Sequence, residues 1–300
     1  MLALITPGQG SQTPGMLTPW ITNPDSRDLL ASWSAAIDLD LIHLGTQADA
    51  DEIRDTANAQ PLIVAAGLLS ARELGVGNAV SFMAGHSVGE ITAAALAGVF
   101  SEVDALRLVR IRGVEMAKAA HGSQSGMSAV LGGVREDVLQ AIADAGLVAA
   151  NDNGGGQIVA AGSLQALSTL APEGARVRAL QVSGAFHTEF MRPALVAFKA
   201  FAAEIEVKDS QIGLISNKDG APLLSGVRIL DRIIEQIASP VRWDLCMSSL
   251  ESIGVTHAIE IAPAGTLVGL LKRGAPGIAT HALKSPDDLE SARTFAGVKG

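Results

Sequence analysis

An α/β fold built on a parallel sheet, carrying a small inserted unit of different grammar, is predicted by three observations. Short apolar runs at residues 2–6 (LALIT), 79–84 (AVSFMA), 212–216 and 257–261 alternate with longer stretches of helical periodicity, the pattern of strands covered on both faces by helices. Between about 127 and 182 the order becomes strand, helix, strand, strand, helix, strand, that of a ferredoxin-like unit. A serine flanked by glycines, Gly85-His86-Ser87-Val88-Gly89, joins an apolar run to an alanine-rich helix. That is the strand–turn–helix context of an α/β-hydrolase-like sheet. The expected organisation is a large α/β-hydrolase-like domain with a parallel sheet core, residues 1–125 and 186–300. A small ferredoxin-like (β-α-β-β-α-β) subdomain, residues 126–185, is inserted in it.

The elements follow in order. Residues 2–6 end in the glycine-rich turn Pro7-Gly8-Gln9-Gly10-Ser11-Gln12. Helical periodicity covers 26–38 and 60–74, the second opening after Pro61 and stopping near Gly75. The run 79–84 is a buried strand and 88–97 the helix after the serine, ended by Gly98. Ser101 caps a helix over 102–120 that carries Arg107, Arg110, Arg112 and Lys118. Within the insert, strands are expected at 127–132, 147–152, 157–162 and 175–182, and helices at 134–146 and 163–171, with Ser163 as cap. The parent grammar resumes with helices at 189–206, 226–238 and 243–253 and strands at 212–216 and 257–261.

Composition narrows the function. Three hundred residues, 48% of them hydrophobic, suffice for a sizeable core. Lys and Arg number 22 against 31 Asp and Glu, a net charge of −9, and aromatics are scarce, with no Tyr. Such a surface argues against nucleic acid and anionic membranes as partners. The lone Cys246 can form no internal disulfide, and no Cys/His cluster suggests a metal. The N-terminal apolar run lacks a basic flank and the length of a signal peptide, and no other run spans a bilayer. A cytoplasmic protein is expected.

Ser87 is the candidate nucleophile, because a hydroxyl at the start of a helix meets free N–H groups able to hold an oxyanion. It needs a base, and six histidines are available. His86 adjoins the serine on the strand side, where local packing is the expected role; His43, His121, His257 and His281 stand in ordinary contexts. His187, in Ser183-Gly184-Ala185-Phe186-His187, follows small residues where the insert returns to the main domain, and can reach the cleft between them; its alternative is to satisfy local backbone. Gln9 lies in the turn after the first strand, facing the same crevice, and its N–H can pair with that of Val88 as a two-donor oxyanion hole; otherwise Gly8-Gln9-Gly10 is only a tight turn. Arg112 is either part of a solvated helix face or the fork that binds a substrate carboxylate.

Six motifs, PGQGSQ at 7–12, GHSVGE at 85–90, RIRG at 110–113, NDN at 151–153, GAFH at 184–187 and SPVRW at 239–243, stand in the order seen in malonyl-CoA:acyl carrier protein transacylases. Over essentially its whole length the chain resembles that family, above all the discrete enzyme of bacterial type II fatty-acid synthesis in its actinobacterial form. The resemblance implies a ping-pong transfer of malonyl from malonyl-CoA to the phosphopantetheine thiol of holo-acyl carrier protein, with no bound cofactor and a monomeric enzyme. It implies that Ser87 is acylated, His187 is the base, Arg112 holds the malonyl carboxylate, and the Gln9 and Val88 amides form the oxyanion hole. A main-chain carbonyl, at the position matching Arg242, orients the histidine. Asn153 matches an asparagine near the thioester arm, and Phe186 resembles the malonyl-selective members. Many relatives carry leucine at the Val88 position and glutamine at the Arg242 position; both are backbone roles.

Carrier proteins are acidic, as this chain is, so a local basic patch is required, with Lys272 and Arg273 as candidates and then Lys284 or Arg72. Other readings are a transacylase of a polyketide pathway, a non-catalytic carrier-docking scaffold, and an esterase or thioesterase. The order of Ser87 and His187, with over a hundred residues after the histidine, argues against the esterase.

Overall fold

The computed structural model describes residues 1–298. Along the chain lie β1 (Leu2–Thr6), α1 (Pro24–Ile37), α2 (Leu41–Thr46), α3 (Thr56–Leu74), β2 (Val80–Gly85), α4 (Gly89–Leu96) and α5 (Glu102–Ala120). Then come β3 (Ser125–Gly132), α6 (Arg135–Asp144), β4 (Val148–Asp152), β5 (Gln157–Ser163), α7 (Leu164–Thr169) and β6 (Ala175–Ala179). The remainder comprises α8 (Arg192–Ala202), β7 (Gly213–Ile215), β8 (Pro222–Leu223), α9 (Gly226–Gln236), β9 (Val241–Arg242), α10 (Trp243–Ser252), β10 (His257–Glu260), α11 (Thr266–Gly274), β11 (Ala279–Ala282) and α12 (Leu289–Phe295).

Two mixed sheets organise these elements. The larger has the order β11-β10-β1-β2-β7-β8; its pairings are parallel except that of β8, which runs antiparallel to β7. Every residue of β1 is buried, as a strand with helices on both faces requires. The smaller sheet has the order β6-β3-β5-β4-β9, antiparallel but for the β4–β9 pair. Its own apolar core includes Val130, Val138, Ile142, Ile158 and Leu167. Strand β9 lies far beyond the insert in sequence yet completes this sheet through Asn151 and Asp152, so the two units are stitched together. An ionic cluster reinforces the seam: buried Asp152 accepts from Arg135 Nη2 at 2.6 Å, and Asp244 of α10 pairs with Arg242 at 2.7 Å and lies 3.6 Å from the same Arg135 Nη2.

Several elements depart from the sequence expectations. Helix α3 opens at Thr56, with the Asp55 carboxylate accepting from Ala57 N–H at 2.7 Å, and Pro61 lies inside it. A proline there cannot donate to the carbonyl of Ala57. That oxygen is taken instead by the Arg110 guanidinium at 3.0 Å, which allows the helix to run through. The helix expected over 189–206 is a 3-10 turn, Glu189–Met191, followed by α8, with a proline in the first turn of α8, where a missing N–H is harmless. The segment after Ala179, read as strand to 182, leaves the sheet and becomes cavity wall.

Helix α11 was not anticipated, and a buried acid holds it. Glu260, at the end of β10, accepts from the N–H groups of Gly265, Leu267 and Val268 at 2.8–2.9 Å, capping the helix by an anion at its positive end. Burial pushes this carboxyl above its ordinary value, and the N–H bonds oppose that shift. Glu260→Gln puts an NH₂ against N–H donors, so urea denaturation should show a loss of about 1–3 kcal/mol.

Candidate active site

The turn after β2 is strained where the nucleophile sits. Ser87 has φ +52°, in the left-handed region that an L-residue enters at a cost of roughly 1–3 kcal/mol. Two features hold it there. Helix α4 begins two residues later and lies so close to β1 that a Cβ on Gly89 would stand 2.2 Å from the Thr6 carbonyl oxygen. The Asn217 side chain brackets the turn, its Oδ1 accepting from Ser87 N–H at 2.8 Å and its Nδ2 donating to Gly85 O at 2.7 Å. Ser87 Oγ therefore projects at the start of α4.

His187 reaches it from a second strained loop, at φ +61°. Strand β3 fixes that loop, since Ser125 Oγ at its start accepts from Ala185 N–H at 3.1 Å. The ring stands with Nε2 2.8 Å from Ser87 Oγ and Nδ1 2.7 Å from the Gln236 carbonyl. A carbonyl only accepts, so Nδ1 carries the proton and Nε2 presents a lone pair to the serine hydroxyl. Burial, with the Arg112 charge nearby, pushes the imidazole down to about 3, which keeps it neutral and able to take a proton at neutral pH.

The orienting carbonyl corrects the expectation placed on Arg242. Gln236 is the last residue of α9, whose final carbonyls have no intrahelical partner, and it supplies the acceptor. Arg242 lies in β9, where its N–H donates to Asn217 O at 2.7 Å and its guanidinium grips Asp244.

Arg112 is fully buried beneath the serine rather than on a solvated face. Helices α5 and α3 meet so tightly beside it that a Cβ on Gly113 would come 2.8 Å from the Thr56 carbonyl oxygen. Nη1 donates to Gln60 Oε1 at 2.8 Å and Nη2 to Gln236 Oε1 at 2.9 Å, with Ser87 Oγ 3.5 Å from Nη2. Nε has no partner among the described residues. Burial lowers the guanidinium to about 10, opposed by Glu90, so it remains a cation at neutral pH.

Ser87 and His187 open onto a cavity of about 300 Å³ whose walls include Gln9, Gln60, Asn153 and Phe186. Gln9 is steadied by its Nε2 donating to Thr56 Oγ1 at 3.2 Å. The Val88 side chain is wholly in the core, which leaves only its backbone N–H to serve the site. His86, expected to pack locally, lines the cavity: its ring stands edge-on to Trp243 and Nε2 is 2.8 Å from Asn153 Oδ1. Burial lowers this imidazole too, the Asn153 bond opposing. The first turns of α11 form a further wall, and exposed Lys272 and Arg273 stand at its far end. Arg72 is paired with Glu102 at 2.7 Å, and Lys284 lines a different pocket. No group of His, Cys, Asp or Glu suited to a metal occurs among the described residues, and no helix there is long and apolar enough to cross a membrane.

Four residues bonded to this cluster escaped the sequence reading: Gln60, Glu90, Asn217 and Gln236. The signal for one was present, as Glu90 is a lone charge in the otherwise uncharged run VGEITAAALA.

Comparison with known proteins shows the family. The family model described as acyl transferase domain matches residues 4–287. The chain is 53% identical over 298 residues to the malonyl CoA-acyl carrier protein transacylase of Mycobacterium tuberculosis (strain ATCC 25618 / H37Rv), covering 97% of this chain and 98% of the relative. The crystal structure of MCAT from Mycobacterium tuberculosis superposes with a TM-score of 0.94 at 52% identity, covering 99% of each chain. A malonyl-transacylase solved in complex with its type II PKS acyl-carrier protein is similar at a TM-score of 0.89 and 31% identity, covering 97% of this chain and 98% of that one. With serine, imidazole and guanidinium converging in one crevice and this likeness over nearly its full length, the chain belongs to the acyl transferase family, among the malonyl CoA-acyl carrier protein transacylases.

Proposed function

We propose that the protein transfers a malonyl group from malonyl-CoA to the phosphopantetheine thiol of acyl carrier protein through a malonyl ester of Ser87, supplying fatty-acid synthesis. The observation that carries this reading is the contact of Ser87 Oγ with a neutral His187, above a buried Arg112. In the first half-reaction Ser87 Oγ attacks the thioester carbonyl while His187 Nε2 takes its proton. The Gln236 carbonyl steadies the imidazolium through Nδ1–H. The Gln9 and Val88 N–H groups hold the tetrahedral oxyanion. As it collapses, the C–S bond breaks and CoA leaves as a thiol with the proton from His187. In the second half-reaction the carrier's thiol gives its proton to His187 and attacks the ester, and Ser87 departs as the alcohol.

Arg112 binds the malonyl carboxylate and so fixes which acyl group is aimed at the serine. Asn153, bonded to His86, and Phe186 both line the cavity, which supports their reading as contacts for the thioester arm and the acyl group. The serine and arginine belong to a hydrolase-like large domain, residues 1–125 and 186–300. The small unit, 126–185, is ferredoxin-like in the order β6-β3-β5-β4 of its own strands, and its sheet is extended by β9. The enzyme works in the cytoplasm as a monomer without a bound cofactor, drawing on malonyl-CoA and holo-carrier protein as substrates, and the exposed Lys272 and Arg273 beside the cavity wall face the acidic carrier.

Incubation with labelled malonyl-CoA and matched apo and holo carrier proteins tests this. Label should appear on the peptide containing Ser87 and on the holo carrier alone. Release of free malonate at the rate of transfer, or labelled protein in a Ser87→Ala variant, would count against it.

A further inference from the structure

The polar chain beneath the serine has a direction. Glu90, three residues after Ser87 and 1% exposed, accepts from the Asn217 N–H at 2.7 Å and from Gln236 Nε2 at 2.5 Å. An ionised carboxylate only accepts, so it obliges Gln236 to turn its NH₂ inward. The same amide then presents Oε1 to Arg112 Nη2 at 2.9 Å, while its Nε2 also donates to Asn217 Oδ1 at 3.1 Å. Reversing the amide would oppose two acceptors at Glu90 and two donors at Arg112. With Nη1 fixed by Gln60, Arg112 keeps the Nε/Nη2 edge for a ligand: Nε is unpartnered though buried, and Nη2 is the atom nearest Ser87.

We propose that Glu90 is a positioning residue for the transfer: as an anion it sets the sense of the Gln236 amide, and the amide presents the Nε/Nη2 edge of Arg112 to the substrate carboxylate. The proposal rests on the reading of Arg112 as the carboxylate site. The charged and titratable groups around Glu90 are Arg112 on α5, Arg232 on α9 and the Cys246 thiol on α10, with Asp219 pairing Arg232 at 2.9 Å. Burial pushes the Glu90 carboxyl up to about 7, against the bonds from Asn217 and Gln236 and the two guanidinium groups. A protonated Glu90 must donate one hydrogen bond, which removes the demand on the Gln236 NH₂. The Asn217 N–H cannot turn, so the change falls on Gln236 and passes to Arg112.

The test compares transfer from malonyl-CoA and from acetyl-CoA by the full chain, at pH values on both sides of neutrality. In the wild type the malonyl-over-acetyl ratio of kcat/KM should fall as pH drops through about 7. In Glu90→Gln the ratio should be lower by about 10-fold or more and flat with pH, the size of one hydrogen bond to a charged group. Glu90→Asp, which keeps the charge, should restore part of the ratio and its pH dependence. A Glu90→Gln enzyme with the wild-type ratio and pH profile overturns the proposal, and so does an equal loss with both acyl donors, the mark of a merely structural role. If that variant does not fold, a pH-independent ratio in the wild type overturns it equally. A wild-type enzyme that never acquires malonyl on Ser87 by mass spectrometry defeats the transfer reading itself, a result separable from any of these.

Discussion

Replacing His187 by alanine should lower acylation of Ser87 by about 10²–10⁴-fold, the usual contribution of a placed general base. The neutral imidazole touches Ser87 Oγ at 2.8 Å and has no rival: the other ring at the cavity, His86, is engaged by Asn153. Stopped-flow release of CoA from malonyl-CoA gives the acylation rate directly. The pH profile carries a second check. An unperturbed histidine loses its basic form as pH falls through about 6.5. His187, held at about 3 by burial and by Arg112, should keep its lone pair far below that, so acetyl transfer should show no acid limb near 6.5. Since the folded value is depressed, protonation of this ring opposes the native state, and acid should destabilise the fold as the unfolded chain takes the proton first. Wild-type acylation retained in His187→Ala, or an acid limb at the ordinary histidine value, would remove His187 from the role of base.

The serine turn was legible because its chemistry is local: two glycines, an apolar strand and an alanine helix, all within residues 79–97, specify the geometry. His187 was legible for a different reason, the small residues before it marking a chain that must pass close to its neighbours. Arg112 was ambiguous, since a helix face reads as solvated until the partner helix is known, and α3 covers it through a close approach that one glycine permits. Gln236 could not be told from Arg242 by motif alone. Five residues separate them, Gln236 being the last of α9, and only the termination of that helix decides which carbonyl is free. Asn217 stands in an unremarkable turn, and its role depends on β7 pairing beside β2 across more than a hundred residues. Helix α11 hid behind its cap: Glu260 is five residues before the first residue it accepts from, in a segment that reads as the end of a strand.

Arg112→Ala should reduce the malonyl-over-acetyl ratio by about 10²-fold or more, as expected when one partner of a buried, hydrogen-bonded charge pair is truncated. The substitution removes the cation, strands the acceptors Gln60 Oε1 and Gln236 Oε1, and leaves Glu90 with one of its two compensating guanidinium groups gone, so stability should fall as well, by about 3–5 kcal/mol. Selectivity separates the two effects, because a general loss of folded protein lowers both acyl donors together and cannot change their ratio. Arg112→Lys sharpens the comparison. It keeps the charge but presents a point donor where the fork offers a planar edge, so it should recover stability more than selectivity. Competition between malonyl-CoA and acetyl-CoA in one reaction, read as the two Ser87 esters by mass spectrometry, measures the ratio without correction for active enzyme. An Arg112→Ala enzyme that still prefers malonyl as the wild type does would mean that the buried guanidinium supports the fold beneath the serine and that the carboxylate is recognised elsewhere in the cavity.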